Sequence, residues 1–158
     1  MIKRFVPLLI AIGLVLALAA CDMGTPPTAT PVAPAITPTT FMLETSGTIA
    51  GIRQTLTIAE SRAASFKDGS NPEKTFTVDE KQYSALVTQV AKADFFNLQD
   101  SYDSGTVSDD KYYALTVTQG SQSKTVMVAE IGGKDITPQA LRDLITLLVN
   151  IQTGGANS

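Results

Sequence analysis

Thr77-Val78-Asp79-Glu80-Lys81-Gln82-Tyr83-Ser84-Ala85-Leu86-Val87-Thr88-Gln89-Val90-Ala91 is the stretch whose reading decides the fold. Tyr83, Leu86, Val87, Val90 and Ala91 recur at the spacing of one face of an α-helix, so the segment needs an apolar surface to lie on. Thr77 with Glu80 three residues later matches a capping box, and Asp79 with Gln82 is an alternative start. The spacing predicts a helix to about Ala93, after which Asp94-Phe95-Phe96-Asn97-Leu98 brings two aromatic rings to the edge of the core.

Working outward, strands flank this helix on both sides. Phe41 to Thr45 has strand composition, and Ser46-Gly47 interrupts it with a turn signal. Ile52, Gln54, Leu56 and Ile58 then alternate with Arg53, Thr55 and Thr57, which is the period of a strand with one apolar face. The two strands read as a hairpin around Gly47, Thr48, Ile49, Ala50 and Gly51. Residues 61 to 74 are polar, with Asp68-Gly69-Ser70-Asn71-Pro72 concentrating turn formers, and read as a loop before a short strand at Thr75 to Val78. Downstream, Tyr113, Leu115 and Val117 alternate with Tyr112, Ala114, Thr116 and Thr118. Gly120-Ser121 turns the chain, and Lys124 to Ala129 returns. Thr137-Pro138 opens a second helix, whose stripe is Leu141, Leu144, Ile145, Leu148 and Val149 and whose stop is Gly154-Gly155. Hairpins joined through helices predict an α+β fold. The expected architecture is a two-layer sandwich, an antiparallel sheet of four to five strands with two helices packed on one face.

The N-terminal segment has a different chemistry. Lys3 and Arg4 precede an apolar run from Phe5 to Leu18, the charged and apolar regions of a secretory signal. Leu18-Ala19-Ala20-Cys21 resembles the bacterial lipobox, which implies cleavage before Cys21 and lipidation of its thiol. Several acyl chains anchor firmly, because each buried methylene contributes about 0.8 kcal/mol. The segment then divides into a signal peptide at 1–20 and a Pro/Thr-rich tether at 21–40. Pro26, Pro27, Pro31, Pro34 and Pro38 make the tether an extended spacer of roughly 60 Å. The globular domain spans 41–153, and 154–158 is a disordered tail. The expected location is the extracytoplasmic face of the cell membrane, held there by lipid.

Composition limits the function. The formal net charge is −3 over the whole sequence, and removing Lys3 and Arg4 with the signal lowers it to −5. That sign argues against nucleic acid as a partner. The chain has no histidine and one cysteine, which is assigned to lipid. Zinc sites built from His and Cys, and Ser-His-Asp or Cys-His catalysis, are thereby excluded. Residues 132–133 are a glycine turn without a phosphate-loop pattern. Asp100, Asp103, Asp109 and Asp110 crowd one predicted loop. They read as a solvated acidic loop, with calcium binding as the alternative, since the spacing departs from the EF-hand pattern. Paired carboxylates are also the only candidates for acid–base chemistry. The balance is a non-enzymatic, cofactor-free, monomeric binding domain.

Four stretches in order, Ser46-Gly47-Thr48-Ile49-Ala50-Gly51-Ile52, Ala93-Asp94-Phe95-Phe96-Asn97-Leu98, Asp109-Asp110-Lys111-Tyr112-Tyr113 and Pro138 to Leu148, resemble the emfourin-like proteins, small bacterial inhibitors of thermolysin-like metallopeptidases. The resemblance spans roughly 41–148. It implies a protein-binding role, with the Gly47–Gly51 hairpin as the element entering a protease cleft. In the family that hairpin carries Gly-Gly-aromatic, whereas Thr48 and Ile49 follow Gly47 here. The order also resembles that of other envelope lipoprotein domains, which implies an adaptor role as the alternative.

Overall fold

A computed structural model describes residues 37–47, 51, 53–102, 111–129 and 136–156. They form an α+β domain with seven strands and two helices. In chain order these are β1 (Thr39–Gly47), β2 (Arg53–Ile58), β3 (Ala63–Asp68), β4 (Lys74–Thr77), α1 (Glu80–Lys92), a 3₁₀ turn (Phe95–Asn97), β5 (Ser101–Tyr102), β6 (Lys111–Gln119), β7 (Gln122–Ala129) and α2 (Gln139–Ala156). The sheet order is β4-β3-β2-β1-β6-β7-β5. Every pairing is antiparallel except β5 with β7, which is parallel.

Register explains why one face is buried. Phe66, Leu56, Leu43, Leu115 and Val126 stand opposite one another across five strands, and Ala64, Ile58, Phe41 and Val117 form the next row. These side chains share one core with Tyr83, Leu86 and Val90 of α1 and Leu141, Leu144, Leu148 and Ile151 of α2. Both helices therefore lie on the same face, as their apolar stripes require. The other face presents Thr57, Met42, Thr116 and Thr125 in register, with Thr116 and Thr125 joined by a 2.7 Å hydroxyl hydrogen bond. Such cross-strand pairs stabilise a solvated sheet face by about 0.2–1 kcal/mol each.

Several expectations are corrected. The sheet is larger than four to five strands and is mixed, because 61–74 and the start of the predicted loop that holds Asp100 contribute strands. Ala63–Asp68 is a strand whose Ala64 and Phe66 face the core, and Ser101–Tyr102 pairs with Met127 and Val128. Ser46 and Gly47 continue β1 rather than turning, since each has a partner in β6. Strand β1 begins two residues early, with Thr39 buried. Helix α2 runs through Gly154 and Gly155 to Ala156. A Cβ on Gly155 would collide with the Phe76 ring, so glycine lets the last turn of α2 lie against β4.

Asp79 is the cap that α1 uses: its Oδ1 accepts from the Lys81 N–H at 2.8 Å, while Thr77 ends β4. At the other end Asp94 takes a left-handed conformation, φ 47°, which stops the helix and turns Phe95 fully into the core beside Phe96.

Candidate binding end of the sheet

Of the residues singled out for function, Gly47 closes β1 at one end of the sheet. Ser46 pairs with both Arg53 and Tyr112, Gly47 with Lys111, and Tyr112 with Ala129. The flanks of three connections, β1 to β2, β5 to β6 and β7 to α2, therefore converge although they are far apart in sequence. Strand β1 enters at Thr39, so its nine residues put this end roughly 27 Å from that entry.

Within the predicted hairpin, Gly47 is the last residue of β1 and Gly51 adopts φ +59°, a conformation that favours glycine. Thr48, Ile49 and Ala50 lie outside the described residues, as do Asp103, Asp109 and Asp110, the glycine turn at 132–133, and Cys21 with the signal and most of the tether. Of the four loop carboxylates, Asp100 is described, and it is engaged within the fold. Its carboxylate meets Lys124 Nζ at 2.9 Å and its carbonyl accepts from the Met127 N–H. Among the described residues no three His, Cys, Asp or Glu side chains gather as a metal site.

A polar seam runs under this end on the helix side. Asp68, Gln54, Thr45 and Tyr113 share one row, and Thr45 is buried. Gln152 of α2, also buried, donates from Nε2 to Gln54 Oε1 at 2.9 Å, while its own Oε1 has no hydrogen-bond partner among the described residues. The pair ties α2 to β2 beside the β1–β2 connection. Gln89 plays a similar part between helices, donating to the Ala140 carbonyl at 2.9 Å. These glutamines escape a reading based on apolar stripes; the available signal is a polar residue placed on the stripe itself, as Gln152 is four positions beyond Leu148.

Away from this end, Tyr83 and Arg62 are the notable side chains. The Tyr83 hydroxyl donates to the Thr39 carbonyl at 2.6 Å and accepts from the Thr39 N–H at 3.0 Å. Arg62 closes the β2–β3 hairpin with φ 70°, a position usually given to glycine in three-residue turns. Its guanidinium stands 3.9 Å from Glu80, both side chains being exposed. Pro38, Glu60, Ser61, Arg62, Glu80 and Tyr83 border an open depression of about 560 Å³.

The described residues thus define an α+β domain with a helix-covered sheet and the flanks of three connections converging at one end. The family model for DUF6438, a domain of unknown function, matches residues 54–152, and the chain belongs to that family. The match begins in β2 and ends in α2, so β1, the strand between β2 and β6, lies upstream of it. No curated protein matches the chain.

Proposed function

We propose that this protein is a lipid-anchored envelope protein whose domain binds another protein and performs no chemistry of its own. In this reading Cys21 carries the lipid, the Pro/Thr tether holds the domain off the membrane on its extracytoplasmic face, and the domain acts as a monomer. Its described part has no helix long and apolar enough to cross a membrane. The observation that carries the reading is the convergence of the Gly47, Arg53, Lys111 and Ala129 positions at one end of the sheet. Connections grouped on a rigid scaffold are where binding residues concentrate. That end is also the one remote from the point where the N-terminal segment joins β1.

The partner that the resemblance favours is a secreted thermolysin-like metallopeptidase, with the Gly47–Gly51 hairpin as the contacting element. An inhibitory hairpin needs a rigid base, because preorganisation reduces the entropy lost on binding. Pairing of Ser46 with strands on both sides supplies one. The test is peptide hydrolysis by a thermolysin-like enzyme titrated with the full chain. Stoichiometric loss of hydrolysis that disappears in Gly51→Val is expected. Undiminished hydrolysis, with capture of a different envelope protein that survives Gly51→Val, overturns the inhibitor reading and favours an adaptor.

A further inference from the structure

The two edges of the sheet are finished differently. At one, β5 covers Met127 and Val128, and the adjoining Asp100 carboxylate holds Lys124. Pairing and charge over part of an edge discourage its extension by another chain. At the other edge lies β4, whose Thr75 and Thr77 are exposed.

The hydrogen-bond pattern fixes which backbone groups of β4 are engaged. The Val78 N–H donates to the Arg62 carbonyl, and the register places Phe76 opposite Ala64 and Lys74 opposite Phe66. In an antiparallel ladder, bonding alternates from one residue to the next. Lys74, Phe76 and Val78 therefore bond to β3, and the N–H and C=O of Thr75 and Thr77 point away from the sheet. Both threonines are β-branched, which suits a further strand.

A depression of about 570 Å³ adjoins the same edge and is lined by Thr57, Ala59, Ala63, Ser65, Thr75 and Thr77 among others. Its lining carries no charged side chain, and most of it belongs to the open face. An added strand would direct every second side chain toward this depression.

From these observations we infer that β4 accepts an extended segment of a partner protein as an eighth strand, with uncharged aliphatic side chains at alternate positions seated over the Ala59–Ala63–Ser65 depression. A second copy of this chain is the poorer occupant. A stable dimer needs about 1,200–2,000 Å² of buried surface, which a four-residue edge does not approach, whereas a short segment held weakly and transiently needs far less. This surface is separate from the end of the sheet proposed above to contact a partner, and either can fail without the other.

Amide hydrogen exchange followed by NMR on the full chain tests the inference. The probe is an acetylated, amidated peptide with a Val-Thr-Val-Thr-Val core flanked by lysines, at millimolar concentration. The Thr75 and Thr77 amides should slow about tenfold or more, a factor worth about 1.4 kcal/mol. The Ser123 and Thr125 amides at the other edge should not change. The same peptide N-methylated at alternate residues should give no protection. The inference is overturned if Thr75 and Thr77 stay unprotected, if the methylated peptide protects them equally, or if raising the protein concentration alone protects them, which would make a second copy the occupant.

Discussion

Replacing Tyr83 by phenylalanine isolates one hydroxyl at the entry of the central strand. Strand β2 pairs with β1 as far as Ile58 opposite Phe41, then turns away into the β2–β3 hairpin. Thr39, two residues before Phe41, consequently has a backbone donor and acceptor on that side with no strand to meet them. The Tyr83 hydroxyl satisfies both, at 3.0 and 2.6 Å. Phenylalanine keeps the ring and its edge-on contact with Phe41, 6.1 Å between centroids at 89°, so packing is preserved while both bonds go. A buried polar group left unsatisfied costs about 1–3 kcal/mol. Thr39 is buried, but Tyr83 borders the open depression beside Pro38, and water entering there recovers part of the loss. The sum is a destabilisation of about 2 kcal/mol for the two groups together. Urea unfolding of the wild type and Tyr83→Phe measures it. With a slope of about 1–3 kcal/mol per molar, the midpoint should fall by about 1 M at unchanged slope. The Thr39 amide should also exchange faster. A midpoint shift below about 0.2 M would refute the claim that the hydroxyl completes the ladder.

Arg62→Gly removes the strain of a left-handed non-glycine residue, about 1–2 kcal/mol, against a looser unfolded chain and a weak exposed ion pair. A net gain of about 0.5 kcal/mol should raise the melting temperature by about 3 °C in calorimetry, and a fall would contradict the strain argument. Gln152→Met removes a buried acceptor that has no partner among the described residues, leaving half-buried Gln54 able to turn toward water. It should be neutral or stabilising by up to about 1 kcal/mol in the same urea assay, whereas a loss above about 1 kcal/mol would mean that the orphaned oxygen is satisfied in solution. Cys21→Ser should move the protein from the detergent phase to the aqueous phase on phase separation and abolish labelling by radioactive fatty acid; retention in the detergent phase would defeat the lipid assignment.

Elements that carry their own periodicity were legible in the residues. The stripe from Tyr83 to Val90, the alternation from Gln54 to Ile58 and the β6–β7 hairpin around Gly120 each encode which side is buried. What escaped depends on contacts remote in sequence. Strand β3 offers Ala64 and Phe66 as its only core residues, too little alternation to outweigh its polar neighbours. Two-residue β5 exists because β7 provides a ladder to pair with in parallel, which no local pattern announces. Ser46-Gly47 has turn chemistry, yet partners in β6 hold it extended. Gly154-Gly155 has the chemistry of a helix stop, yet the Phe76 ring against Gly155 makes continued helix the packed solution. For the candidate binding end, sequence supplied the residues of the connections, while only the register shows that the strands flanking them meet.

The Tyr83–Thr39 contact also has a mechanical consequence. The chain enters the sheet at Thr39, the first residue of β1, and β1 is bonded to β2 and β6 along its two sides. Tension applied there along the strand acts in shear. It loads the bonds to both neighbours together instead of opening them one after another, and it reaches the Tyr83 hydroxyl first. Any drag on the domain would thus be borne by its central strand, whose ladders to both neighbours run as far as Ser46, leaving the β4 edge off the line of force.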